Sequence, residues 1–356
     1  ERPQVDNVVS GRFNVSGRYV VLVAAIALVA CRDKKPRKDV APPPPAPVAA
    51  LAAIPSDATV VVGLDVDRLA SSHLVGRAVA DMFVRDPGLA ERFERLARDC
   101  GVDVTRQIHQ VHLALAPGGT GAARRALLVA TGELAEPALT QCLQAAVGGG
   151  GGAVTMQPGA RPLYQLVEGR HTVYFGFGRA DTVVIGPDRT WVEAALGDGP
   201  KVATGALAPY LGEVDQARGL WFTALMDPDL GASLVRTSKG AIAAAPTAVY
   251  AELDPRDGFT AHAAFVMTTP ADATALATFA RGELALGSLA AQAWNLGPVV
   301  AKVGVLAKGP EVHFQVVLTD AEFKDVLAAV DSGGGGGQDA PPAADGSLGS
   351  APDAGR

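Results

Sequence analysis

The sequence is short of the residues that usually carry chemistry, and each shortage removes a class of function. Its 356 residues include three cysteines and six histidines, and aromatics make up 5%. No H-E-x-x-H, H-x-H or C-x-x-C spacing occurs, so the usual zinc arrangements are missing and no metal or other cofactor is expected. His109 and His112 lie three apart on an expected strand and so point to opposite faces, while His73, His171, His262 and His313 are scattered. Basic residues are neither in excess nor clustered: 31 Lys and Arg stand against 37 Asp and Glu. Binding nucleic acid requires a basic stripe that displaces counterions, so that partner class is excluded. No stretch offers about 20 consecutive apolar residues, the length needed to cross a bilayer, so no transmembrane anchor is expected.

What the chain does have is a 48% apolar fraction, ample for a packed core, and a distinctive N-terminal segment. Residues 19–30 form an uncharged run of about a dozen residues behind Arg12 and Arg18, with the length and flanking charge of a signal-peptide h-region. The run ends Leu28-Val29-Ala30-Cys31. This ending resembles the lipobox of bacterial lipoproteins, in which small residues admit the peptidase and the cysteine accepts a diacylglyceryl group. The resemblance implies cleavage before Cys31 and lipidation of Cys31. Removing residues 1–30, with three basic and two acidic side chains, moves the net charge from −6 to about −7.

After Cys31, the cluster Arg32-Asp33-Lys34-Lys35-Pro36-Arg37-Lys38 reads equally as a strip against anionic headgroups and as a solvated charge run. Residues 40–55, rich in Pro, Ala and Val, favour polyproline II. At about 3.1 Å per residue they make a stalk several nanometres long. In Gram-negative lipoproteins, a residue other than Asp after the lipidated cysteine directs the protein to the outer membrane. Arg32 therefore implies the outer rather than the inner membrane.

The organisation expected is a signal peptide (1–30), a lipidated, disordered stalk (31–55), a first α+β half (56–200), a second (201–331) and a disordered tail (332–356). In the first half, alternation over 58–64 reads as a strand. Asp86-Pro87 opens a helix with Leu89, Phe93 and Leu96 on one face and Gly101 closing it. Residues 109–116 and 126–132 read as an antiparallel pair, and Pro137 opens a further helix. Strands over 172–177 and 182–186 lead to Thr190-Trp191-Val192-Glu193, a capping-box spacing.

The second half repeats this order. A strand over 220–226 precedes Asp227-Pro228, and a hairpin over 249–253 and 260–268 precedes Thr269-Pro270. Strands over 299–306 and 312–318 then precede the capping box Thr319-Asp320-Ala321-Glu322. Corresponding points lie roughly 130 to 160 residues apart, which reads as a tandem duplication. The fold class expected is α+β: two related, mostly antiparallel sheets with helices packed on one face of each.

With Cys31 lipidated, Cys100 and Cys142 remain as a disulfide candidate in an oxidising compartment. Their loop of about forty residues would add about 4 kcal/mol of chain-entropy stabilisation; two buried free thiols is the alternative. Asp65 and Asp67 form a D-x-D that could hold a divalent ion, but Asp67 before Arg68-Leu69 reads better as a helix N-cap. Ser71-Ser72-His73 reads as a helix start rather than a nucleophile pair, because adjacent helical residues do not face each other. Gly176-Phe177-Gly178 reads as a turn, and Gly118-Gly119-Thr120-Gly121 lacks the lysine of a phosphate loop. Trp191, Trp221 and Trp294 read as core.

The lipobox, the proline stalk and the Ile54-Pro55-Ser56-Asp57-Ala58 approach to a Val-rich strand together resemble Gram-negative lipoproteins of undefined activity. The resemblance implies a periplasm-facing, tethered body whose two halves meet along a groove, and it implies no reaction. The leading expectation is a non-enzymatic binding or scaffolding module that presents a sheet face or the cleft between halves to an envelope protein or small ligand. One alternative is an envelope hydrolase using Asp65, Asp67 and Glu133. The other is an apolar-ligand carrier with a dry cavity between sheet and helices.

Overall fold

A computed structural model describes residues 50–334 except 89, 92–93, 95–97, 99–103, 118–123, 149–150, 159–160, 180, 257 and 293–295. Cys31, stalk residues 31–49, Cys100, Gly101, Trp294, the Gly118–Gly121 motif, the apolar positions Leu89, Phe93 and Leu96, and the tail beyond residue 334 lie outside the described residues. The end of the expected disordered stalk is corrected: residues 50–55 belong to the folded body, where Ala53 and Ile54 are fully buried in the core and Pro55 bridges to Lys201.

In chain order, a 3-10 turn at Ala50–Ala53 leads into β1 (Val60–Asp65), α1 (Val66–Ala70), α2 (His73–Arg85) and α3 (Val104–Gln107). The hairpin β2 (Ile108–Ala116) and β3 (Arg125–Gly132) precedes α4 (Glu136–Gly148). Next come β4 (Ala153–Gln157), β5 (Leu163–Glu168), β6 (His171–Phe177), β7 (Thr182–Gly186), α5 (Arg189–Leu196) and α6 (Ala208–Leu211). The rest is β8 (Leu220–Leu225), α7 (Pro228–Thr237), β9 (Ala248–Asp254), β10 (Phe259–Val266), α8 (Pro270–Ala291), α9 (Gly297–Val300), β11 (Gly304–Lys308), β12 (Glu311–Leu318) and α10 (Asp320–Gly334).

All twelve strands join one sheet, in the order β11-β12-β10-β9-β8-β1-β2-β3-β7-β6-β5-β4, and every pairing is antiparallel. The fold is thus α+β with a large antiparallel sheet, but the two separate sheets expected from sequence are fused into one. The cause is the β1–β8 pairing, with Val60 opposite Ala224 and Leu64 opposite Leu220, which satisfies the backbone of what would otherwise be two free edges. The groove expected where the halves meet is replaced by this hydrogen-bonded seam.

Helices cover both faces of the sheet, not one. Val129 and Ala130 are neighbours in β3 and belong to different cores. On one face, Trp191, Val192 and Leu196 of α5 and Leu211 of α6 pack with Val61, Ala114, Trp221 and Tyr250. On the other face lie Leu139, Leu143 and Val147 of α4 over one arm, and Ala273, Leu276 and Ala277 of α8 over the other. Strands such as β7, buried at all five positions, are apolar on both faces and so require cover on both. Trp191 and Trp221 are both core, each 2% exposed. Gly63 in β1 lies under the Trp221 indole, where a Cβ would collide with the ring.

Several helix starts follow the expected chemistry. The Asp227 carboxylate accepts from the backbone N–H groups of Asp229 and Leu230, and Pro228 follows it. Thr319 and Glu322 form a full capping box: each side chain accepts the other's backbone N–H, at 3.3 and 2.9 Å. Other expectations are corrected. Asp188, not Thr190, caps α5, because its carboxylate already accepts from the Trp191 N–H and the Thr190 hydroxyl. Asp65, not Asp67, caps α1 by accepting from the Arg68 N–H. Gly176 and Phe177 lie inside β6, where Gly176 lets Leu196 of α5 approach the strand, so they are not a turn. Pro298 turns residues 297–300 into α9, which shortens the expected strand to β11. Helix α10 runs to Gly334, past the point at which the tail was expected to begin.

Candidate functional site

An apolar groove opens between α8 and the sheet. Helix α8 starts where the Thr269 hydroxyl accepts the Asp272 N–H at 3.2 Å, with Pro270 in the first turn and Asp272 at the positive end of the helix. Across its 22 residues only Asp272, Arg281 and Glu283 are charged. Small buried residues, Ala273 and Ala277, bring it down onto β11 and β12. Further along, Ala280 and Gly287 fill little space, and a hollow of about 490 Å³ opens beneath the helix.

Leu234 of α7, Phe265 of β10, Phe314 of β12, Val300 of α9, and Phe279 and Leu284 of α8 form its walls. Phe265 and Phe314 meet edge to face, with centroids 5.5 Å apart, and make its floor. Phe314 also borders a second hollow of about 160 Å³ over Leu220, Phe222, Ala251, Ala263 and Val316, so the two adjoin along the sheet. Glu283 is the one charged side chain lining the larger hollow. Just outside it, Leu286 and Leu289 of α8 are each 65% exposed. The volume falls in the range of small-molecule sites, and the lining gives no hydrogen-bonding pattern by which a polar ligand could be recognised.

The carboxylates singled out from sequence do not converge on this or any other hollow described. Asp65 caps α1, Asp67 binds the His109 Nδ1 at 2.9 Å, and Glu133 is exposed after β3. Among the described residues, no group of three His, Cys, Asp or Glu side chains could hold a metal ion. The Ser72 hydroxyl donates to the Pro255 carbonyl at 2.7 Å, which ties the start of α2 to the far arm. Cys142 is buried on α4, whereas Cys100 lies outside the described residues.

Polar clusters do occur away from the groove. Asp254, 8% exposed at the end of β9, is met by Arg68 at 3.1 Å, Arg256 at 3.1 Å and Arg218 at 3.5 Å. Burial alone would raise its carboxyl pKa, but hydrogen bonds from Arg256 and the charges of Arg68 and Arg256 outweigh this and hold it below the ordinary value. Because Arg68 belongs to α1 and Arg218 precedes β8, this cluster clamps the two arms together beside the seam. The His262 and His313 rings stack 3.0 Å apart at nearest nitrogens, with Glu311 3.1 Å beyond His313 and the Tyr250 hydroxyl donating to Glu311. Burial, then the neighbouring His313, lowers the His262 pKa. His112 is buried as His109 is not, in keeping with their opposite faces, and burial lowers its pKa to about 4.

Sequence reasoning missed the groove residues Leu234, Phe265, Phe279, Leu284 and Phe314. The available signal was the low charge of residues 270–291 taken as one helix, which is more apolar around its circumference than one buried face requires.

No known protein family and no curated protein matches the chain. Among solved structures, the chain is similar to TP0453 in its crystal form I, at 8% sequence identity and a TM-score of 0.45, over 83% of this chain and 99% of that one. A likeness of that size carries no information on activity. Among the described residues, no helix is long and apolar enough to cross a membrane.

Proposed function

We propose that this protein is a non-enzymatic, lipid-anchored binding module of the bacterial envelope, and that the groove beneath α8 takes a single alkyl or acyl chain. The observation that carries the reading is the groove itself: about 490 Å³, walled by Leu, Phe and Val, with Glu283 as its one charged lining residue. Such a site gains its affinity from apolar surface removed from water and offers no donor pattern for a polar ligand. Between the two alternatives weighed from sequence, this favours the apolar-ligand carrier over the hydrolase, whose carboxylates are spent on a helix cap and a hydrogen bond with His109 or stand apart.

The rest of the reading comes from sequence. The signal peptide, the lipid on Cys31, the Pro-rich stalk and the choice of outer over inner membrane are proposed from residues 12–55. A Cys100–Cys142 disulfide is proposed as well. Tandem duplication is proposed from the arms of the sheet: outward from the seam, β1-β2-β3-β7-β6 and β8-β9-β10-β12-β11 follow the same chain order, with β4 and β5 added to the first.

Two measurements test the proposal. The protein should bind a fluorescent fatty acid such as cis-parinaric acid, and Gly287→Trp should abolish binding while the fold is retained, because a Cβ at Gly287 meets nothing within 4 Å and a larger side chain there fills the groove. Equal binding by parent and variant, or no binding by the parent, refutes the ligand assignment. Cys31→Ala should move the protein from the membrane to the soluble fraction, and retention in the membrane refutes the anchor.

A further inference from the structure

The two edges of the sheet are treated differently. At β11, the Arg281 guanidinium of α8 donates twice to the Val305 carbonyl, at 3.2 and 3.1 Å, and Lys308 ends the strand. A backbone acceptor covered by an arginine, beside a lysine, is a poor template for another strand. The opposite edge, β4, reads Ala153-Val154-Thr155-Met156-Gln157, with no charge and no proline. It is hydrogen-bonded to β5 on one side, and among the described residues nothing pairs with its other side.

Side chains on β4 complement a second β4 running antiparallel. With Thr155 on a two-fold axis, Val154 of each strand lies opposite Met156 of the other, and Thr155 opposes Thr155. Met156 is 67% exposed, although it projects to the same face as Val154, which packs against the α4 core, and as Tyr164, its register partner on β5. Pairing would bury Met156 between Tyr164 of its own chain and Val154 of the other. On the opposite face, the Gln157 amide already donates to the Thr155 hydroxyl and to Gln165, so no charge is brought against its like.

We propose that β4 is a self-association edge through which two copies of this chain pair antiparallel about Thr155, extending the sheet across a two-fold axis. The interface is short, so the dimer is weak in dilute solution and is promoted by confinement of tethered copies to one surface.

The test is oxidative cross-linking of the full chain in its membranes. Opposed Cα atoms in an antiparallel pair lie about 4.5 to 5.5 Å apart, within disulfide reach, so Thr155→Cys should yield a species of twice the chain mass. Lys308→Cys on the covered edge, and the parent with its own cysteines, should give several-fold less. Adding Met156→Lys to Thr155→Cys should remove the product, and because Met156 is exposed the fold is retained. The proposal is overturned if Thr155→Cys cross-links no more than Lys308→Cys, if Met156→Lys leaves the product unchanged, or if the product has the mass of another protein.

Discussion

His112 gives the protein an acid-sensitive core whose cost can be worked out. Its ring is 5% exposed, tilted against Trp221 at 5.8 Å between centroids, and its Nδ1 has no hydrogen-bond partner among the described residues. Burial disfavours the charged form and takes the pKa from 6.5 to about 4. Because the folded state holds this proton less tightly than the unfolded state, the stability it retains is complete above pH 6.5. It then falls by about 1.4 kcal/mol per pH unit and levels off below pH 4. The loss is about 2 kcal/mol at pH 5 and about 3 kcal/mol at full protonation. His112→Phe, which keeps a ring against Trp221, should remove this slope. Urea unfolding of both proteins between pH 7.5 and pH 4 gives the comparison, and carboxylates common to both cancel in the difference. If parent and variant lose the same stability from pH 7 to pH 4.5, the account of His112 as a buried neutral imidazole is wrong.

Asp254→Asn should cost about 3 kcal/mol, since it leaves Arg68, Arg218 and Arg256 around an uncharged centre; an unchanged urea midpoint would show that the clamp is ornamental. Because the Asp254 pKa is depressed, the clamp is intact above the ordinary carboxyl range and is lost as pH falls below it, acidward of the His112 transition. Gly63→Ala should lower stability by about 1 to 3 kcal/mol by forcing a methyl into the Trp221 indole, with a blue or red shift in tryptophan emission as the ring moves. Thiol labelling of the denatured, unreduced protein should find neither Cys100 nor Cys142 reactive, and labelling of both would refute the proposed bridge.

Local chemistry was legible in the sequence wherever the partner was close along the chain. Asp227-Pro228, Thr269-Pro270 and Thr319 with Glu322 mark helix starts because each cap is completed within three residues. The hairpins β2–β3 and β9–β10 were legible from alternation and turn residues. Pairings between distant segments were not. Nothing in Val60–Asp65 identifies Leu220–Leu225 as its neighbour, so the union of two expected sheets into one stayed hidden. Strands β4 and β5 were passed over because they follow a glycine tract and carry polar residues such as Thr155 and Gln165. The candidate groove was missed for the same reason: Leu234, Phe265 and Phe314 come from three separate elements and share no local pattern.

The seam of β1 against β8 also governs the order in which the chain can complete itself. As the chain is made, β1 can pair with β2 early, but its other edge stays open, and the strand that closes it arrives only after α5 and α6 have followed. Until then that edge of β1 is open to any extended segment, so misassembly is concentrated in that interval. A chaperone that shields this one edge during folding would therefore matter more to this protein than to a chain whose first strand finds both neighbours at once.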